Sequence, residues 1–167
     1  MANRTAFGRT VVAGMWARAE WGALVQLQPS PVRVPFPVSF DSNELLMEFI
    51  DDGEGNAAPR LAQVRPDPEA LDTLWRQFRE IVLALAATGH THGDLSPYNL
   101  LVAPGVDGSP HGQLVVIDLP QLVDVVVNPD GFDYLRRDIV NVATWFAARR
   151  AQADAESLFA EAVAVLY

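Results

Sequence analysis

The amino-acid sequence predicts an α+β fold that is mostly helical in its second half. Three patterns carry that reading: an apolar stripe between an N-cap at Asp67 and a stop at Gly89, two short apolar runs around a Gly/Pro/Asp-rich turn, and helical periodicity resuming near Asp130.

Taken in order, residues 10–27 carry Val11, Val12, Met15, Trp16, Ala19, Leu24 and Leu27 at mixed three- and four-residue spacings. That is the mark of a moderately amphipathic helix, and Pro29 and Pro31 stop it. Val32–Phe40 holds two prolines among β-branched and aromatic residues, so it reads as an edge strand. Asp41-Ser42-Asn43 turns it back into Glu44–Ile50, giving a hairpin. Asp51–Pro66 has no periodicity and reads as a connector with room to move. Asp67, Pro68 and Glu69 then open the clearest helix, whose buried face is Leu71, Leu74, Phe78, Ile81, Val82 and Leu85. Leu100–Val102 and Leu114–Ile117 suggest a second hairpin, turning through Ala103–Gly112. A helix from about Asp130 to Arg150 buries Phe132, Leu135, Ile139, Val142 and Phe146, and an Ala-rich helix covers Asp154–Leu166.

Composition narrows the function classes. Half the residues are apolar and 20% are charged, the profile of a folded chain. A formal charge of −9 argues against direct nucleic-acid binding, which needs clustered cations. The absence of cysteine excludes disulfides, thiolate catalysis and Cys-based metal sites, and the expected compartment is a reducing cytoplasm. Met1–Trp16 lacks the apolar core of a secretory signal, and no run reaches the ~18 apolar residues of a membrane span. All 12 basic residues are arginine. Chemistry that needs an ammonium group has no side chain here to supply it.

The stretch with chemical content is His92-Gly93-Asp94-Leu95-Ser96-Pro97-Tyr98-Asn99, directly after a helix stop and followed by an apolar strand pair that ends in Ile117-Asp118. A spacing of five lets a tight loop turn Asp94 and Asn99 toward one point, while Asp118 arrives from the neighbouring strand. Phosphoryl transfer from a nucleotide needs Mg²⁺ fixed against the phosphates and an acceptor hydroxyl held in line, and oxygen donors suit that ion. In this reading Asp94 orients the acceptor and takes its proton, and Asn99 and Asp118 hold metal. Taken alone, an Asp-to-Asn spacing of five is ordinary in loops. The order of helix, octapeptide, strand pair and closing Asp points instead to a kinase catalytic loop.

The segments HGDLSPYNLL (92–101), VIDLPQ (116–121) and FDYLRRDIVN (132–141) together resemble three successive blocks of the RIO family of atypical serine/threonine protein kinases. Aminoglycoside and choline phosphotransferases share the His-Gly-Asp with a following Asn. The Ile-Asp-x-Pro-Gln with a downstream Leu-Arg-Arg-Asp is RIO-like.

The resemblance covers about residues 10–150 and implies a protein-kinase-like fold: residues 1–52 as an N-lobe reduced to one helix, about two strands and a hinge, and 53–167 as a mostly helical C-lobe with a small catalytic β-hairpin. It implies ATP with Mg²⁺, or Mn²⁺, as cofactors and a protein substrate. Met47-Glu48-Phe49-Ile50 would be the hinge receiving adenine, with Leu101 and Ile117 as the pocket floor. Glu20 would be the helix glutamate that pairs with a nucleotide-binding lysine; a solvated helix charge is its plain alternative. His92 would support the loop, and Asp138 would accept N–H bonds from it. Arg136 and Arg137 would be solvated or ion-paired. The resemblance further implies that Asp118 can itself be phosphorylated.

The sequence departs from the family in having neither a Gly-rich strand-turn-strand nor the lysine. A shortened chain, a second chain that completes the lobe, and a degenerate nucleotide- or partner-binding module are all open explanations. Missing strands would leave an apolar edge, so a homo-oligomer or partner chain is expected to cover it. A small-molecule phosphotransferase is the remaining alternative.

Overall fold

The computed structural model describes residues 6–105 and 111–167. The middle of the predicted turn (106–110) and residues 1–5, the start of the segment read as lacking a secretory signal, lie outside them. The architecture is α+β. α1 (Ala6–Leu27) packs on a hairpin of β1 (Pro37–Asp41) and β2 (Glu44–Met47), and the rest is built on α2 (Pro68–Ala87), α3 (Gly131–Ala147) and α4 (Ala155–Val165). Between these helices run the short strands β3 (His90–Thr91), β4 (Leu100–Ala103), β5 (Gln113–Val116) and β6 (Val123–Asp124).

α2 is the centre of the core. Asp67 caps it by accepting Ala70 N–H at 2.8 Å, Pro68 sits where its missing N–H is harmless, and Gly89 leaves it at φ 80°. The predicted stripe is buried, and it meets Leu135, Ile139, Val142 and Phe146 of α3 and Leu158 and Ala162 of α4. Trp75, Phe78 and Phe146 form an aromatic cluster with centroids 5.3 to 6.2 Å apart. Truncating a fully buried phenylalanine of this kind costs about 3–5 kcal/mol.

The second hairpin pairs Leu100 with Val116 through to Ala103 with Gln113. Gln77 of α2 anchors it, donating to Gly112 C=O at 3.0 Å and accepting Leu114 N–H at 2.7 Å. This fixes the strand pair against α2.

The N-terminal part differs from expectation in two ways. Among the residues of α1 whose burial is described, Ala23, Leu24 and Leu27 are buried; Val12, Met15, Trp16 and Ala19 are exposed, so over 12–27 the apolar spacing marks a face that the end of the helix alone covers. The first strand begins at Pro37 rather than Val32: Pro35 has no N–H to give a ladder, and Phe36 N–H is donated to the Glu48 carboxylate. Val32 and Val34 are buried as irregular backbone, with Arg33 C=O accepting Val116 N–H at 2.9 Å.

The connector is also tied down rather than loose. Asp51 bridges Ala57, Arg60 bridges Leu101, and a 3₁₀ turn at Leu61–Gln63 follows, with Ala62 N–H donated to Pro97 C=O at 2.9 Å. No described helix is long and apolar enough to cross a membrane.

Candidate active site

The loop after β3 is held from below by α3. Asp138 is 1% exposed and accepts three hydrogen bonds, from Thr91 Oγ1 at 2.8 Å, Gly93 N–H at 2.7 Å and Leu95 N–H at 2.8 Å. Arg137 donates to Gly93 C=O, and Asn141 Nδ2 donates to Leu95 C=O at 3.3 Å. One face of one helix thus satisfies the polar backbone of a tight buried turn. Gly93 has φ 85°, and a Cβ there would meet the Gln121 carbonyl and fall 2.7 Å from Val123 Cγ2, so no other residue fits.

His92 is fully buried beneath the same turn. Its Nε2 lies 3.0 Å from Ile117 C=O and its Nδ1 accepts Asp94 N–H at 3.3 Å. Those partners select the Nε2–H tautomer. The ring therefore joins the loop to the residue before Asp118.

A second link runs through Asn99. Its backbone C=O accepts Ile117 N–H at 3.1 Å, and its side-chain nitrogen donates to Asp94 C=O at 3.0 Å. With Nδ2 committed, Oδ1 is the amide atom left for a ligand. Asp118 has φ 65°, a left-handed conformation that aspartate tolerates at a cost on the order of 1 kcal/mol. This bend leaves Asp118 exposed on the cleft while Leu119, next to it, is buried. Asp94 is exposed at the loop apex. The backbones bearing Asp94, Asn99 and Asp118 are thus brought together by direct hydrogen bonds.

Beside them lies a cleft of about 990 Å³. Glu20, Met47, Glu48, Phe49, Ile50, Leu101, Ile117 and Asp118 line it, together with Trp16 and Leu45. Within the segment expected to be the hinge, Glu48 N–H is donated to Phe36 C=O at 2.8 Å, so it is not available to a base. Its carboxylate is also engaged, accepting Phe36 N–H at 2.9 Å and pairing with Arg33, whose guanidinium holds the Glu48 carboxyl below its usual range. Ile50 N–H has no protein acceptor among the described residues.

Glu20 reaches across from α1 to accept Leu119 N–H at 3.1 Å. Burial pushes its carboxyl above the usual range and the nearby Asp118 charge adds to this, while the Leu119 bond opposes it. An acid raised in the folded state adds stability below its unfolded value near 4.5, and that contribution is lost as pH rises through the folded value. Glu20→Gln, which keeps an acceptor for Leu119, is therefore expected to be the more stable protein at pH 7, with the gap closing toward pH 4. Thermal melts of both proteins across that range check the sign.

The donor chemistry fits a hard divalent cation. Among the described residues no three His, Asp or Glu side chains cluster as a protein-only metal cage. A carboxylate and an amide oxygen instead leave the other positions to phosphate and water, the usual arrangement for Mg²⁺.

The model of the RIO domain family matches residues 1–158. The chain belongs to the RIO family. This RIO domain is 39% identical over 148 residues to the RIO-type serine/threonine-protein kinase Rio1 of Haloferax volcanii, covering 89% of this chain and 47% of that protein. It is 31% identical over 150 residues to Rio1 of Thermoplasma acidophilum, covering 90% of this chain and 73% of that protein. The fold matches Rio2 kinase of Chaetomium thermophilum, solved as an ADP/Mg²⁺-phosphoaspartate complex, with TM-score 0.76 at 21% identity over 96% of this chain and 48% of that one. The chain thus spans about half the length of the Haloferax relative. The RIO domain has the kinase-like α+β fold, with one helix and a two-stranded hairpin among the described residues up to Met47. The match does not favour the aminoglycoside or choline phosphotransferase alternative.

Two supporting residues escaped sequence reading. Arg136 is ion-paired with Glu156, as expected, but Arg137 turns inward to the Gly93 carbonyl, and Asn141 joins it. The available signal was Asn141 falling three residues after Asp138 and four after Arg137 on a helix.

Proposed function

We propose that this RIO domain performs ATP-dependent phosphoryl transfer to a serine or threonine hydroxyl of a protein, and that Asp118 can take the phosphoryl group itself to give ATPase-like turnover. The observation that supports the reading is Asn99, whose side-chain nitrogen is spent on Asp94 C=O at 3.0 Å, whose side-chain oxygen is left for a cation, and whose backbone C=O accepts Ile117 N–H at 3.1 Å, next to Asp118. Leu101 and Ile117 form the apolar floor for adenine, and the Met47–Ile50 backbone its edge, with Ile50 N–H as the donor and Glu48 contributing only its carbonyl. Asp94 holds the acceptor hydroxyl and receives its proton as the acceptor oxygen bonds to the γ-phosphorus and the bridging oxygen leaves with ADP. Asn99 and Asp118 would hold Mg²⁺ or Mn²⁺, which when bound neutralises phosphate charge. His92 and Asp138 position the loop, and residues 1–52 and 53–167 act as the two walls of the cleft.

A second reading, nucleotide holding without turnover, is favoured by one observation. The chain has no lysine, and Arg60 is the one basic side chain lining the cleft among the described residues. Calorimetry with MgATP, followed by a single-turnover assay with γ-labelled ATP, separates the two. Mg²⁺-dependent binding with label release or transfer is the expected result; binding without it supports the second reading, and no Mg²⁺-dependent binding contradicts both.

The exposed apolar residues Val12, Met15 and Trp16 of α1 and Phe36, Val38 and Leu46 beside them suit coverage by a second copy or a partner chain. A light-scattering mass of one chain at every concentration would count against self-association.

A further inference from the structure

A second cavity, of about 680 Å³, lies between the start of α2 and the segment following α3, and it shares no lining residue with the cleft. Arg76, Arg149 and Arg150 line it, three of the 12 basic residues in a chain of formal charge −9. The ion pairs among the described residues engage Arg33, Arg79 and Arg136, but none of these three. Arg76 donates to Thr73 Oγ1 at 3.0 Å. Arg149 donates to Trp145 C=O at 3.1 Å and lies 3.8 Å from the centroid of that ring. Among the described residues each guanidinium keeps further N–H groups free, and the one acid in the lining, Asp72, makes no ion pair with them.

The backbone adds a second observation. Arg150 has φ 70°, with its N–H on Ala147 C=O at 3.0 Å and Ala151 N–H on Phe146 C=O at 3.2 Å. That is the helix-ending motif in which glycine is the strain-free residue. The chain instead holds an arginine there, with its side chain on a cavity already lined by two others. Such crowding of like charge is unfavourable unless an anion offsets it.

The floor of the cavity is apolar, formed by Trp75 and Pro66 among others. Guanidinium forks match carboxylates in two-point geometry, and the floor offers a seat for a side chain. A small inorganic anion would use the arginines and leave the floor without a partner. We propose that this cavity docks an acidic peptide segment of a partner protein, with its carboxylates on Arg76, Arg149 and Arg150 and an apolar side chain against Trp75.

The test is fluorescence anisotropy with a labelled synthetic peptide of repeating glutamate and leucine, using the wild-type chain and an Arg76→Gln/Arg149→Gln/Arg150→Gly variant. All three side chains are exposed, and glycine suits the positive φ at 150, so the variant folds. The expected result is salt-sensitive binding that weakens about tenfold or more in the variant, with a glutamine-for-glutamate peptide failing to bind. Equal binding by both proteins, or no binding by the wild type, overturns the proposal. Displacement of the peptide by inorganic phosphate at matched concentration overturns it as well, since that marks a simple anion site.

Discussion

Asp138→Ala is expected to destabilise the protein by about 3–5 kcal/mol, the largest single effect outside the aromatic core. Its carboxylate is 1% exposed and is the acceptor for Gly93 N–H, Leu95 N–H and Thr91 Oγ1–H. Removing it leaves two backbone donors and a hydroxyl buried with no acceptor, and each carries a desolvation cost of about 1–3 kcal/mol. Asp138→Asn is nearly as damaging, because its amide nitrogen would face a donor on one side or the other. Thr91→Val removes a donor and its bond together, and is expected to cost only about 1 kcal/mol. Urea unfolding of the three variants checks the order. A midpoint for Asp138→Ala close to wild type would show that the loop is held by something else.

The second large effect is on rate rather than stability. Asp94→Asn is expected to slow phosphoryl transfer by about 10²–10⁴-fold, the usual contribution of a positioned proton acceptor, with nucleotide affinity changed little. The Asp94 side chain is exposed and its carboxylate makes no hydrogen bond among the described residues, so the melting temperature should not move. A single-turnover assay at saturating MgATP reads this directly. Equal rates for the two proteins would remove Asp94 from its assigned role, whereas a parallel loss of nucleotide affinity would place it in binding instead.

Much of this was legible in the residues because local signals and tertiary packing agree. α2 has a cap, an N1 proline, a stripe and a terminal glycine, and the structure uses each as predicted. The order of loop, strand, turn, strand and aspartate identified the β4–β5 hairpin and the turns before and after it. The two-residue pairing of β3 with β6 was not legible, since His90–Thr91 and Val123–Asp124 are too short for periodicity. α1 is the helix expected, but the helical spacing of Val12, Met15 and Trp16 does not say whether a partner element lies opposite, and these residues are exposed. The partners of Glu48 were likewise hidden from the sequence. The Arg33 ion pair and the Phe36 bond that commit it come from a segment 12 to 15 residues away, which sequence proximity does not reveal.

The central claim is that Asp94, Asn99 and Asp118 surround one cation-and-phosphate site. Amide NMR spectra of the chain titrated with substoichiometric Mn²⁺·ATP test it most directly, since line broadening falls off steeply with distance from the ion. The account predicts that resonances of residues 94–99 and 117–119 disappear first, and that the Asp118→Asn variant suppresses the effect. Broadening centred elsewhere in the chain, with those two segments intact, would contradict it.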